Sequence, residues 1–200
     1  MCLKILQLLL NYLAHIFLSG NHPQIRVGNF IGDFVKGNRY ELYPPKIREG
    51  ILLHRRIDSF TDAHPVVRET TVFLRPQFGR YAAIVTDMYF DYFLAKNFRD
   101  YSNTSLTFFA YGFYCAALIN YKYLPARVRG FIFHFITTNR LGKYATADGL
   151  YDSLRIMSVY KIPALNPKQI IDFLAENHDE LEAKFRLFFP DLQRMVNDSR

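Results

Sequence analysis

Tryptophan is absent from the 200-residue sequence, and cysteine occurs only twice, at Cys2 and Cys115. Two cysteines exclude a disulfide framework and a zinc site built on thiolates, and they make the cytoplasm the expected compartment. The sequence also has no Walker loop, G-x-G-x-x-G fingerprint, G-x-S-x-G elbow or zinc-finger spacing. Any catalytic site must therefore come from a different arrangement of polar residues.

Acidic residues are scarcer than basic ones: 18 Asp and Glu stand against 25 Lys and Arg, which gives a formal net charge of +7. Half of the residues are hydrophobic, including 19 phenylalanines and 14 tyrosines, so the chain can bury a full core without metal or disulfide support. The positive charge favours an acidic partner. Because the basic residues form no recognised nucleic-acid-binding motif, we expect that partner not to be a nucleic acid.

The first nineteen residues are apolar but lack an uninterrupted hydrophobic run, because Lys4, Gln7, Asn11 and His15 divide them. A membrane-spanning helix needs about 20 mostly apolar residues, and a secretory signal needs a small-residue cleavage site that is missing from this segment. We therefore expect a buried helix here, and no membrane partner.

Apolar residues recur at intervals of three and four along most of the chain, and the two-residue alternation of β-strands is missing. Glycine-asparagine pairs and prolines divide this pattern, and Pro190 is expected to kink or end the last helix. The predicted helices cover 3–18, 24–37, 45–63, 65–75, 80–98, 104–122, 125–140, 144–159 and 168–196. The sequence therefore predicts a single-domain all-α bundle of about eight to nine helices.

Four of these apolar helices carry polar residues of metal-ligating type four positions apart, which places them on one face. The residues are Asn11 and His15; Asn29 and Asp33; His54, Asp58 and Asp62; and Asp87 and Asp91. Buried carboxylates are costly unless a cation or a dense hydrogen-bond network compensates them. A metal site between facing helices is one solution, and its nitrogen and oxygen ligands would suit Mn²⁺, Mg²⁺ or Fe²⁺ better than a structural zinc.

Each of these features also has a simpler interpretation. A single pair at this spacing is more often a solvated stripe, Asp58 could pair with the neighbouring Arg55 or Arg56, and His15 alone would be an ordinary core histidine. His64, directly before Pro65, either ends its helix or lies at the mouth of a site. The coincidence of four polar stripes favours the metal site.

Charge is unevenly distributed along the chain. No acidic residue lies between Asp100 and Asp148, whereas Lys122, Arg127, Arg129, Arg140 and Lys143 lie in that interval. A second basic group lies between residues 36 and 56, where only two acidic residues intervene. These groups are either solvated helix faces or a docking surface for an acidic partner.

Several of these segments resemble the acyl carrier protein phosphodiesterase family. The similar segments are NYLAH at 11–15, GNFIGDFVKG at 28–37, GILLHRRIDSFTD at 50–62, HP at 64–65 and DMYFDYFLA at 87–95. Their order and spacing cover about residues 11–160. The family typically starts near Asn11, so we expect residues 1–9 to be an N-terminal extension and 10–200 to form the family's domain.

The resemblance implies an all-α fold distantly related to the HD-type metal phosphohydrolases. It further implies Mn²⁺ as the usual metal, and removal of the 4′-phosphopantetheine arm from holo-acyl carrier protein, an acidic protein. Two positions depart from the family pattern: Tyr92 replaces a histidine that commonly follows Asp91, and Phe98 replaces a tryptophan. If that histidine supports the metal or the leaving group, the tyrosine weakens catalysis but not the fold.

The stripes and the resemblance together define the expected site. The expected metal ligands are Asp33, His54, Asp58 and Asp87, with His15 and Asp91 next. The residues expected to act on the substrate are Asp33; Asp62 or His64 as water-orienting or proton-donating groups; and Arg55 or Arg56 as a phosphate clamp. The expected docking residues for the carrier are Arg48, Arg127, Arg129 and Arg140.

Two other functions remain open from the sequence. A related HD-like phosphohydrolase acting on a nucleotide would share the metal ligands but would not need a basic docking face. A non-catalytic helical binding module would need no metal at all.

Overall fold

The computed structural model describes residues 12–160 and 166–198, and this part of the chain contains α-helices, 3-10 helices and turns but no β-strand. The predicted all-α class is therefore confirmed. The expected extension over residues 1–9, most of the predicted first helix and the candidate residue Asn11 lie outside the described residues. In the described part, no helix is both long enough and apolar enough to cross a membrane.

Thirteen α-helices occur in the described residues, more than the eight or nine that the sequence predicted. They are α1 Tyr12–Leu18, α2 Pro23–Phe30, α3 Pro45–Ala63, α4 Pro65–Phe78, α5 Ala82–Lys96, α6 Phe98–Tyr101, α7 Leu106–Ile119, α8 Ala126–Arg129, α9 Ile132–Thr137, α10 Arg140–Lys143, α11 Ala147–Tyr160, α12 Pro167–Glu176 and α13 His178–Asp198. Four 3-10 helices accompany them: Gly32–Phe34, Gly37–Leu42, Gly79–Tyr81 and Tyr121–Tyr123.

The higher count arises because several predicted helices are divided. The segment predicted as a helix over 24–37 stops at Phe30, since Ile31 adopts φ −90° and ψ 0° and a 3-10 turn follows. The segment predicted over 125–140 divides near Gly130. The last predicted helix divides at Asn177, whose backbone N–H and side-chain amide both donate to the carbonyl of Phe173. Helix α13 continues past Pro190 to Asp198, so of the two expected effects this proline does not end the helix.

The chain forms two compact units. The first unit consists of Tyr12–Ser59 and Phe98–Gly142, and the second consists of Phe60–Asn97 and the described residues from Lys143 onward. Each unit has its own aromatic core.

In the first unit, α2 and α3 pack with their backbones in contact. A Cβ atom added to Gly28 would lie 2.1 Å from the Ile47 carbonyl oxygen, and one added to Gly50 would lie 2.2 Å from that of Ile25. Only glycine permits this approach at either position. Because the helices are so close, Asn29 on α2 and His54 on α3 come within hydrogen-bonding distance.

In the second unit, α5 is buried on almost every side and packs against α4 and α13. The Tyr89 hydroxyl donates to the Ile170 carbonyl at 2.7 Å, which joins α5 to α12. The ring of Phe90 stacks on Phe188 of α13, with 5.4 Å between the ring centroids. Burial raises the pKa of Tyr89, which keeps this hydroxyl a hydrogen-bond donor.

Candidate metal centre

Two buried histidines lie face to face in the first unit. His15 of α1 is 2% exposed and His54 of α3 is 4% exposed. Their ring centroids lie 4.1 Å apart with an interplanar angle of 28°. The position of the His54 ring depends on Gly32, because a Cβ atom there would lie 2.3 Å from the ring.

A carboxylate bridges the two rings. Asp58 follows His54 by one turn of α3, and its Oδ1 lies 3.3 Å from His15 Nε2 while its Oδ2 lies 3.3 Å from His54 Nε2. Asp33, in the 3-10 turn after α2, places its Oδ1 3.6 Å from His54 Nε2. The Nε2 atoms of both rings therefore face oxygen atoms of acidic residues.

The opposite side of both rings faces Asn29, which is fully buried. The Asn29 Oδ1 atom lies 2.8 Å from His15 Nδ1 and 3.2 Å from His54 Nδ1. Its amide nitrogen donates to the His15 carbonyl oxygen at 2.8 Å and to the Ser19 hydroxyl oxygen at 2.9 Å. The two histidines are thus held between an amide on one side and carboxylates on the other.

The charges in this cluster stabilise one another. Burial lowers the pKa of His54, but interactions with Asp33 and Asp58 outweigh burial and raise the pKa to about 9. Burial raises the pKa of the Asp58 carboxyl, but the interactions with His15 and His54 hold it far below its usual range. At neutral pH the metal-free cluster therefore carries a negative charge on Asp58 and a positive charge on His54, whose ring nitrogens are both protonated.

The donor set fits a divalent ion. His15, His54 and Asp58 each offer one ligand atom, and these atoms lie within 4.8 Å of one another. Two ligands that each lie about 2.0–2.2 Å from one ion are separated by roughly 3.0–3.5 Å, close to the distances of 3.3 and 3.6 Å found here. In addition, His54 Nε2 is buried and makes no well-formed hydrogen bond, so an ion would give this atom a partner.

The structure brings together four of the residues that the sequence predicted as site residues, namely His15, Asp33, His54 and Asp58. Asn29 and Asp33 were expected on one helical face, whereas Asp33 lies in the 3-10 turn Gly32–Phe34.

Arg55 holds the segment that follows Asp33, because its Nη2 donates to the carbonyl oxygens of Val35 at 3.0 Å and Gly37 at 2.7 Å. Arg56, next along α3, is exposed.

Four predicted site residues belong to the second unit. Asp62 and Asp87 line one cleft of about 380 Å³ there, together with the basic side chains of Arg68 and Arg75. Asp91 is buried in α5. In the described structure, His64 Nε2 lies 3.4 Å from Asp191 Oδ2, and its buried Nδ1 has no hydrogen-bond partner.

The predicted docking arginines all belong to the first unit. Arg127 and Arg129 are exposed on α8, while Arg48 and Arg140 are half-buried. Burial raises the pKa of Tyr43, and the charges of Arg39 and Arg129 oppose this shift, so both guanidinium groups act on the same phenol. One arginine from each of the two basic groups recognised in the sequence therefore lowers the pKa of Tyr43.

Ser19 is a residue of this cluster that the sequence analysis missed. Its hydroxyl donates to the His15 carbonyl oxygen at 2.8 Å and accepts from Asn29. The available signal was its position four residues after His15, where a serine side chain can reach back to the carbonyl of the previous turn.

Comparisons with known proteins agree on one family. A family model described as acyl carrier protein phosphodiesterase matches residues 10–192. The chain is similar to a Yersinia pestis protein named acyl carrier protein phosphodiesterase, with 30% identity over 189 residues, 94% of this chain and 97% of that protein. A protein of the same name from Yersinia enterocolitica is 28% identical over 192 residues, which cover 96% of this chain and 100% of that protein. Another from Pectobacterium atrosepticum is 29% identical over 190 residues, which cover 94% of this chain and 97% of that protein. No solved structure matches the chain.

Proposed function

The chain belongs to the acyl carrier protein phosphodiesterase family, and we propose that it hydrolyses the phosphodiester bond between 4′-phosphopantetheine and a serine of holo-acyl carrier protein. The products are apo-carrier and free phosphopantetheine, so the enzyme is a phosphoric diester hydrolase. The observation that carries this proposal is the cluster of His15, His54 and Asp58, in which both histidines are buried, within a chain that the family model matches over most of its length.

We propose a divalent metal as cofactor, with Mn²⁺ as the first candidate and Mg²⁺ and Fe²⁺ as alternatives. His15, His54, Asp58 and Asp33 would hold it, because two imidazoles and two carboxylates form a mixed nitrogen and oxygen ligand set. Such an ion, when bound, lowers the pKa of water and offsets the negative charge of a phosphate.

The exposure of the cluster indicates the side from which the phosphodiester approaches. The histidine side chains are 2% and 5% exposed, whereas the side chain of Asp58 is 37% exposed. Substrate is therefore proposed to enter on the carboxylate side, with Asp33 orienting the attacking water. Because Nη2 of Arg55 holds two backbone carbonyls, the proposed phosphate clamp falls mainly on the exposed Arg56.

The predicted residues of the second unit keep their proposed roles. Asp62 or His64 stays proposed as the group that orients water or protonates the departing serine oxygen, and Asp87 and Asp91 stay proposed as metal ligands. The cleft that Asp62 and Asp87 share supports a role for this pair in ligand binding.

The carrier protein is proposed to dock on the basic surface formed by Arg48, Arg127, Arg129 and Arg140. Acyl carrier proteins are acidic, and complementary charge increases the rate of encounter.

The reaction is tested by incubating the purified chain with holo-acyl carrier protein and Mn²⁺, and measuring the mass of the carrier. We expect apo-carrier plus free phosphopantetheine, loss of activity with a chelator, and recovery with added Mn²⁺. Nucleotides assayed in parallel test the alternative phosphohydrolase. An unchanged holo-carrier under all metal conditions would contradict the proposal and favour a binding module.

Two substitutions connect the activity to the cluster. Asp33→Ala and His54→Ala should reduce hydrolysis by at least about 100-fold, because each removes a proposed ligand or its direct neighbour. The fold should persist at lower stability, because each change removes an attraction between the charged His54 ring and a carboxylate of the metal-free cluster. Circular dichroism checks folding, and near wild-type turnover in either variant would remove that residue from the site.

A further inference from the structure

We propose that Asn29 is a positioning residue that fixes both imidazole rings in the one tautomer whose Nε2 atoms bind the metal. The inference rests on the proposed function, because it assigns a role within that site. Four short contacts surround the Asn29 side-chain amide, and they determine where the protons of His15 and His54 lie.

The orientation of the Asn29 amide follows from its neighbours. Its nitrogen lies 2.8 Å from the main-chain carbonyl oxygen of His15, an atom that can only accept a hydrogen bond. The same nitrogen lies 2.9 Å from the hydroxyl oxygen of Ser19, whose own proton is donated to that carbonyl. A rotated amide would place two oxygens 2.8 Å apart with no proton between them. The amide nitrogen must therefore face the His15 carbonyl.

The amide oxygen then faces both rings. It lies 2.8 Å from His15 Nδ1 and 3.2 Å from His54 Nδ1. An amide oxygen has two lone pairs and no proton, so both rings must donate from Nδ1. Both protons and both lone pairs of the amide are then used, as a fully buried polar group requires.

A proton on Nδ1 leaves the lone pair of a neutral imidazole on Nε2. Both Nε2 atoms lie 3.3 Å from oxygen atoms of Asp58. Lone pairs that face a carboxylate repel it unless a proton or a metal ion lies between them. Metal-binding histidines usually donate their second N–H to a partner that fixes the ring, and here one amide oxygen serves two histidines. The loss of Asn29 should therefore affect two ligands together.

A purely structural role would also satisfy the Asn29 amide, and Asn120 provides the matched comparison. Asn120 is 4% exposed and belongs to the same unit. Its amide nitrogen donates to the Ala116 carbonyl at 2.9 Å, and its oxygen accepts from Gln24 at 3.3 Å. Asn120→Ala therefore removes a buried amide that hydrogen-bonds to Gln24 and Ala116 and not to the histidines.

The direct test is histidine-ring ¹⁵N NMR of the wild-type protein, loaded with Cd²⁺ as a diamagnetic probe. We expect both rings to carry a proton on Nδ1 and to show cadmium coupling at Nε2. The metal-free protein is measured at about pH 10.5, above the pKa of His54 of about 9, where both rings should again carry their proton on Nδ1. A proton on Nε2 in either ring would overturn the proposal. If both rings carry the proton on Nδ1 but no cadmium binds, the role of Asn29 in the tautomer stands and the metal dependence of the proposed function fails.

The second test measures affinity for Mn²⁺ by calorimetry. Asn29→Ala should weaken binding about 10- to 100-fold, the usual effect of removing a group that orients a metal ligand. Asn120→Ala should change it less than about threefold. Asn29→Gln keeps the amide group, so its affinity for Mn²⁺ should lie between those of the wild type and Asn29→Ala. Equal losses in the Asn29 and Asn120 variants would assign Asn29 a structural role alone. If Asn29→Ala does not fold, the wild-type NMR result decides the question.

Discussion

His54 has carboxylate oxygens of Asp33 and Asp58 within 3.6 Å of its buried Nε2 atom. The spacing of four residues along α3 placed His54 and Asp58 together from the sequence, because that distance is local and helical. The approach of His15 and Asn29 is not local, and it depends on how α1, α2 and α3 pack. The sequence therefore identified these residues as metal-type side chains, but it could not assign Asn29 a position behind the rings.

The raised pKa of His54 leads to a prediction for the pH dependence of the protein's stability. His54 has a pKa of about 9 in the folded protein and 6.5 as its ordinary value. A raised pKa stabilises the metal-free fold fully below about pH 6.5, and this contribution is lost as pH rises through about 9. The free energy of unfolding should therefore fall by up to about 3 kcal/mol over this range.

Urea unfolding at about pH 6 and about pH 9.5 measures this change. His54→Gln is the control and should show a smaller fall. With saturating Mn²⁺ the sign should reverse, because ligand histidines must lose their protons to bind a metal. A metal-free protein whose stability rises across this range would contradict the assigned charges.

Helix α3 was predicted over 45–63, and the structure gives it the same bounds, Pro45–Ala63. A proline starts it, Pro65 follows its end, and its apolar face is continuous. The predicted helix over 24–37 was less successful, because periodicity alone does not reveal that Gly32 packs against the His54 ring. Local signals thus defined helices with strong start and stop residues, whereas tertiary contacts divided the others.

The close approach of α2 and α3 leads to a prediction for Gly50. A Cβ atom at this position would lie 2.2 Å from the Ile25 carbonyl oxygen and 2.8 Å from the backbone nitrogen of Asn29. Gly50→Ala should push the helices apart, lower the free energy of unfolding by about 2–3 kcal/mol or more, and weaken Mn²⁺ binding.

Gly112 in α7 is the matched control. Its nearest neighbour would be an Arg26 nitrogen at 3.9 Å, so Gly112→Ala should be neutral or stabilise the protein by about 0.5–1 kcal/mol. Chemical denaturation and calorimetry compare the two variants. Metal affinity that survives Gly50→Ala unchanged would show that the cluster does not depend on this helix contact.

Over the whole molecule, charge is the property that the sequence described best. The net charge of +7 and the interval without acidic residues are compositional, so no structure was needed to find them. The structure adds that Arg39 and Arg129, far apart in sequence, both act on Tyr43. That convergence depends on the fold of the first unit and could not be read from the order of residues.

The proposed docking surface predicts a selective kinetic defect. The double variant Arg127→Glu, Arg129→Glu should raise KM for holo-carrier about tenfold or more at low salt, with little change in kcat, because long-range charge acts mainly on encounter. The defect should shrink with rising salt, since the Debye length falls to about 10 Å at 0.1 M. A small phosphodiester substrate should not distinguish the variant from the wild type.

The control is a second double variant, Lys168→Glu with Lys184→Glu, because it makes the same change of net charge in the second unit. It should leave KM nearly unchanged. Equal effects of the two double variants would attribute the salt dependence to net charge and would remove the docking role from Arg127 and Arg129.

The central claim is that the cluster of His15, His54 and Asp58 holds a divalent metal. The most direct measurement is a crystal structure with Mn²⁺, with data collected to give anomalous differences. We expect one peak about 2.0–2.3 Å from Nε2 of both histidines and from an Asp58 oxygen. An active, manganese-loaded protein with no peak between these side chains, or with its metal bound elsewhere, would contradict the account.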